Sequence, residues 1–144
     1  MSQVFLSHVA EDAATARELA AGLEEVGYTT WFHERDSLLR PPYVPQILQE
    51  IAQSTVVIVL VSAAALGSWQ VDRDILHAFK TKKAMIPVVI GITHAELRNR
   101  HRDWVVMFGG ATWLSLPPDG VSTLIPRLVQ GLKAIGAEPT VPSQ

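Results

Sequence analysis

Residues Thr55 to Val61 read Thr-Val-Val-Ile-Val-Leu-Val, with no polar side chain after the threonine. A strand with one face in water alternates apolar and polar residues, whereas a strand covered on both faces need not. This run therefore predicts a central strand sandwiched between helices. It is far too short to cross a bilayer, which takes about 20 apolar residues. Sheets covered on both faces are built mainly from parallel strands joined by crossover helices.

The rest of the chain supplies that alternation. Val4 to Leu6 is a short β-type run ending at Ser7-His8. Ala16, Leu19, Ala20, Leu23 and Val26 then recur at helical spacing, between Asp12 as an expected N-cap and Gly27 as an expected C-terminal glycine. Tyr28 to Phe32 reads as a second strand, and His33 to Val44 as a loop broken by Pro41-Pro42. Pro45 suits the first turn of a helix whose apolar face is Ile47, Leu48 and Ile51.

After the central strand, Ser62 to Gly67 reads as a loop of small residues. Ser68 is placed to cap a helix bearing Val71, Ile75 and Phe79 on one side. Ala84 to Ile90 is a fourth strand, in which Pro87 points to an edge, a strand start or a bulge. Thr93 to Asp103 reads as a short irregular helix, with Arg98, Arg100 and Arg102 on a solvated face. Ala111 to Leu114 is a fifth strand and Val121 to Ile135 a final helix. Residues 1–136 are expected to form one domain, and residues 137–144 a flexible tail or linker.

Strands alternating with helices imply right-handed crossovers and helices on both faces. Ligands of such sheets bind beyond the carboxyl ends of the strands, where the strand order reverses. In a five-stranded 2-1-3-4-5 sheet that point lies between the first and third strands, flanked by Ser7-His8 and by Ser62 to Trp69. Its chemistry-bearing residues are His8, Glu11, Asp12, Ser62, Trp69, Asp72 and Asp74. Asp72 and Asp74 are two apart on one helix and point in different directions, so only one is expected to face the crevice.

Composition narrows the functions. The chain has 144 residues, 48% hydrophobic and 18% charged, which excludes an intrinsically disordered protein. The net charge is −2, so no general basic field exists and no nucleic-acid partner is expected. There is no cysteine, which removes disulfides, thiol catalysis and cysteine-based zinc sites. Met1 to Ser7 show no basic segment followed by a long apolar run, so no secretory signal and no membrane partner are expected, and a cytoplasmic location is.

Several chemistries lack their motifs. No G-x-G-x-x-G follows the first strand, and no G-x-x-x-x-G-K-[ST] occurs. No G-x-S-x-G elbow is present, and the five histidines show no H-E-x-x-H spacing, so no metal is expected. A phosphoacceptor receiver domain shares the architecture but needs an aspartate at the end of the third strand. Here that strand ends Val59-Leu60-Val61-Ser62.

Val4-Phe5-Leu6-Ser7-His8 with Glu11-Asp12 resembles the opening box of Toll/interleukin-1 receptor (TIR) domains, above all bacterial ones. Gly27-Tyr28 through Trp31-Phe32, with Glu34-Arg35-Asp36, is similar to their second strand and following loop. Ser54-Thr55 through Ser62, then Ala65-Leu66, resembles their central strand. Ser68-Trp69-Gln70-Val71-Asp72-Arg73-Asp74-Ile75 is similar to their third-helix signature, and Ile86-Pro87-Val88 to their fourth strand. The likeness runs from about Val4 to Ile135.

The resemblance implies a flavodoxin-like sheet and one of two functions. Many bacterial and plant members cleave NAD at the nicotinamide–ribose bond in defence or cell-death signalling; others only assemble with further TIR domains. For the first, NAD is substrate rather than cofactor, and the domain is an NAD nucleosidase whose activity depends on self-association. The family's catalytic glutamate falls on Asp74, three residues after the position matched by Val71. The aspartate arm is one methylene shorter, roughly 1.5 Å less reach, and misplacing a reacting group by about 1 Å can cost on the order of 10²-fold.

The resemblance also implies that Ser7, His8, Phe32, Ser62 and Trp69 contact the dinucleotide. It implies that the segment with Glu34, Arg35, Asp36, Arg40, Pro41, Pro42 and Tyr43 joins one TIR domain to another, in a homo-oligomer or filament. A sensor module, fused or separate, is the expected source of the activating signal. His33 departs from the family's usual acid, and Arg40-Pro41-Pro42-Tyr43 from its usual proline-glycine turn.

Overall fold

In the computed structural model, which describes residues 2–36, 43–111 and 113–140, five parallel strands form one sheet in the order β2-β1-β3-β4-β5. They are β1 (Val4–Ser7), β2 (Thr30–Trp31), β3 (Val56–Val61), β4 (Ala84–Val89) and β5 (Leu114–Ser115). The helices are α1 (Ala13–Val26), α2 (His33–Asp36), α3 (Tyr43–Gln53), α4 (Ala63–Leu66), α5 (Trp69–Lys80), α6 (His94–Arg100), α7 (Arg102–Phe108) and α8 (Val121–Ala134). This is a flavodoxin-like fold, as expected from the sequence. No helix among the described residues is long and apolar enough to cross a membrane.

All six residues of β3 are completely buried, which accounts for the unbroken apolar run. Val56, Ile58 and Leu60 face one layer, where α1 and α8 bury Leu19, Leu23, Leu124, Leu128 and Leu132. Val57, Val59 and Val61 face the other, against Ile47 and Ile51 of α3, Val71 and Ile75 of α5, and Trp104 of α7. The two-residue side-chain period of a strand thus sorts one sequence into two cores.

Pro87 lies in no bulge and β4 is flanked by β3 and β5, but β5 pairs only from Val88 onward, so Pro87 meets the expectation of an edge position locally. It sits in the register of β4 opposite Val59 of β3. Ile90 N donates to Val61 O on the β3 side, while Val89 O accepts from Leu116 N on the β5 side. By alternation the missing N–H of Pro87 faces the β5 side, below Val88 where pairing with β5 begins. No ladder bond is lost.

Other expectations change in detail. Asp12 flanks α1, but its side chain makes no cap bond and accepts from Ser62 Oγ at 2.5 Å instead. Ser62 in turn caps α4, a short helix where a loop was expected. His33–Asp36 is likewise a helical turn, not loop. Thr93 opens α6 through a capping box with Glu96, and the expected single irregular helix is two, α6 and α7. The fifth strand falls at Leu114–Ser115, later than expected. Phe79 is half exposed rather than part of the buried stripe.

Gly27 does close α1 in the left-handed conformation at φ +111°. Residues 137–140, expected to trail freely, are tied to this end of the molecule. Tyr28 Oη donates to Ala137 O at 2.7 Å, Thr140 N to Gly27 O at 3.1 Å and Gln3 Nε2 to Glu138 O at 2.6 Å. Residues 141–144 lie outside the described residues.

Candidate active site

A cavity of about 310 Å³ opens at the carboxyl ends of the strands, beside β1. Phe5, Leu6 and His8 form one wall, His33 and Glu34 of α2 a second, and α5 the third. Ser68 fixes where α5 starts, its hydroxyl accepting from Val71 N at 3.2 Å. From that start, Val71, Ile75 and Ala78 turn to the sheet, and Trp69, Gln70, Arg73 and Asp74 turn to the cavity.

Asp74 is only 5% exposed yet lines the cavity. Ser7 Oγ donates to its Oδ2 at 2.9 Å. Arg73 donates to Oδ1 from Nε at 3.2 Å and from Nη2 at 3.0 Å. Burial lifts the Asp74 carboxyl above the usual aspartate range, because a buried carboxylate loses its hydration. The Arg73 charge, the Ser7 hydroxyl and the His8 ring act against that rise. Arg73 in turn lies over the Trp69 ring, its guanidinium carbon 5.2 Å from the ring centroid.

The open alternative between the two aspartates is thereby resolved. Asp72 points away from the cavity and accepts from Trp104 Nε1 at 2.7 Å. Asp74 alone of the pair lines the crevice.

His8 sits with both ring nitrogens on oxygen atoms, Nδ1 3.2 Å from Leu6 O and Nε2 2.6 Å from Glu34 Oε1. It ties the end of β1 to α2 while lining the cavity. Trp69 stands 65% exposed at the rim. Ser7, Phe32 and Ser62 do not line the cavity. Ser7 reaches it through Asp74, Phe32 is 1% exposed within the core, and Ser62 is engaged by Asp12.

The residues expected to join domains divide between clasp and cavity. Arg35 bonds Glu24 at 2.7 Å, Asp36 at 2.7 Å and Thr30 O at 2.7 Å, and lies 4.6 Å over the Phe32 ring. Asp36 also accepts from Phe32 N at 3.0 Å. These contacts lock the turn after β2. Glu34 faces the cavity. Arg40, Pro41 and Pro42 lie outside the described residues, as does the side chain of Tyr43, the first residue of α3.

Gln70 and Arg73 are cavity residues that sequence reasoning passed over. Their signal was position: Gln70 and Arg73 stand with Trp69 in the first turns of α5, next to Asp74, which borders the buried stripe of Val71, Ile75 and Ala78.

Comparison with known proteins gives a consistent picture. The TIR-STING receptor of C. gigas, solved with 2',3'-cGAMP, is similar over 96% of this chain, with a TM-score of 0.72 and 22% identity. This chain spans 40% of that receptor's length. The TIR domain of the Toll-related receptor TRR-2 from Hydra magnipapillata is similar over 94% of this chain and 98% of its own, with a TM-score of 0.68 and 18% identity. The TIR domains of the activated Roq1 resistosome, which recognises the effector XopQ, are similar over 94% and 81%, with a TM-score of 0.63 and 17% identity. No curated protein sequence matches this chain significantly. The TIR domain profile matches residues 4–124, and the chain belongs to the TIR domain family.

Proposed function

We propose that this domain binds NAD in the cavity beside β1 and hydrolyses its nicotinamide–ribose bond. The observation that carries this reading is the buried carboxylate of Asp74 on the cavity wall at the switch point of the sheet. The C–N bond breaks with its electron pair passing to the nicotinamide nitrogen, which leaves neutral, so no general acid is needed. The ribose is left electron-poor, as in glycoside hydrolysis, and an ionised carboxylate beside it lowers the barrier. Water adds at the anomeric carbon, giving ADP-ribose and a proton.

Other groups fit supporting roles. Trp69, flat and exposed at the rim, offers a stacking face for a base or for the pyridinium ring. Arg73 beside it is a cation placed for the diphosphate. The cavity sits at the small end of the range for ligand pockets. It suits the nicotinamide riboside half, and a second copy of the domain closing over the rim would enclose the remainder. Activity therefore depends on self-association.

The test is release of nicotinamide from NAD over a range of protein concentrations. Turnover per chain rises with concentration, and Asp74→Ala removes it. A second reading has its own observation: Trp69, Leu76 and Phe79 of α5 are 65%, 40% and 50% exposed. Such apolar exposure on one helix fits a module that works by docking alone. Association without NAD turnover selects that reading.

A further inference from the structure

We propose that the domain has a second ligand site, for a small amphipathic carboxylate, at the opposite end of the sheet. A cavity of about 500 Å³ lies there, larger than the one beside β1 and within the range of small-molecule sites. It lies beside the part of β4 with which β5 does not pair. That strand pairs only with Val88 and Val89 of β4. Among the described residues no strand pairs with β4 on this side from Ala84 to Pro87.

The cavity wraps this edge. Met85 of one core layer and Ile86 of the other both reach it, with Met107 and Phe108 of α7 on one side and Gly131 of α8 on the other. Its walls are thus mainly apolar and take an apolar body. The charged residues of the lining are Lys83 and Arg127, beside the polar Gln130, and among the described residues no acid lines the cavity. Among the described residues neither cation has an ion-pair partner. In a chain of net charge −2, two cations without ion-pair partners on the lining of one apolar cavity favour an anionic head group.

The backbone decides between a small molecule and a docked peptide strand. On the open side of β4 the strand alternation presents Met85 and then Pro87. A strand added to this edge would need successive N–H donors, and Pro87 has none. The single N–H of Met85 on that side can donate to a carboxylate oxygen, and with no second donor at Pro87 it does not start a ladder. The turn from α5 holds Lys83 in place, with Lys82 N donating to Phe79 O at 3.1 Å and Lys83 N to Ala78 O at 2.9 Å.

The site is separate from the cavity beside β1, and the proposal stands independently of NAD hydrolysis. The experiment titrates the isotope-labelled domain with 4-phenylbutyrate and, in parallel, with the neutral 4-phenylbutanamide, following amide shifts by NMR. The expected result is saturable shifts at Met85 and Gly131, with the amide bound about tenfold more weakly because the charged contacts are lost.

Lys83→Gln with Arg127→Gln should bring the carboxylate down to the amide's affinity. Gly131→Leu should abolish binding, since a Cβ there meets only Ile86 Cδ1, at 3.6 Å, and the added side chain fills the cavity. Ala134→Leu is the second filling variant should the first fail to fold. No saturable shifts at these amides, shifts that persist in a folded filling variant, or equal affinity for carboxylate and amide would each overturn the proposal.

Discussion

The hydroxyl of Ser7, the last residue of β1, donates to Asp74 Oδ2 on α5 across 2.9 Å, in a site closed to bulk water on that side. The bond joins residues 67 apart in sequence and sets where the carboxylate stands. It also favours the ionised form, against the burial that opposes it. Ser7→Ala should therefore lower kcat for NAD about tenfold. It should also move the acidic limb of the pH profile upward, because a donor to the carboxylate is gone. A purely structural Ser7 would leave that limb in place.

The raised Asp74 carboxyl has a consequence for stability. The folded chain holds this proton more tightly than the unfolded chain does. Stability therefore falls as pH rises from the ordinary aspartate value of 3.8 through the raised value, and stays lowered above it. Asp74→Asn removes this titration. Thermal melts of the two forms should diverge over that window, with the asparagine form gaining relative to the native chain toward neutral pH.

Trp69 is exposed, so its loss should leave the fold intact. If its ring stacks on the substrate, Trp69→Ala removes about 1–3 kcal/mol of binding. KM for NAD should rise about tenfold or more while the melting temperature stays within a degree or two of the native value. Steady-state kinetics beside a melt separates these effects.

Lys82 holds φ at +60°, the left-handed conformation that closes α5 before β4. A side chain there costs about 1–2 kcal/mol that glycine does not. Glycine gives part of this back through its freer unfolded chain. Lys82→Gly should raise stability by about 0.5–1 kcal/mol in a urea titration, with NAD turnover unchanged.

The sequence was legible where one local rule governed one element. The valine run of β3, the Ser68 cap of α5 and the Gly27 end of α1 each depend on neighbours a few residues away, and each appears where expected. Local rules left Asp72 and Asp74 as alternatives for the crevice, and the family resemblance singled out Asp74, whose side chain lines the cavity. The misses depend on distant partners. Asp12 looks like a cap but is claimed by Ser62, 50 residues on. His33–Asp36 reads as polar loop, yet Arg35 pins it to Glu24 and Thr30. β5 is two residues long, too short for any periodicity, and the larger cavity lies beside the stretch of β4 with which it does not pair.

The central claim is that the Asp74 carboxylate does the work of the family's glutamate. The most direct measurement compares nicotinamide release by the native chain, Asp74→Ala and Asp74→Glu at concentrations that drive assembly. We predict turnover by the native chain, none by the alanine form, and equal or faster turnover by the glutamate form, whose longer arm restores the reach. Turnover that survives Asp74→Ala, or the absence of turnover in all three assembled forms, would contradict the claim.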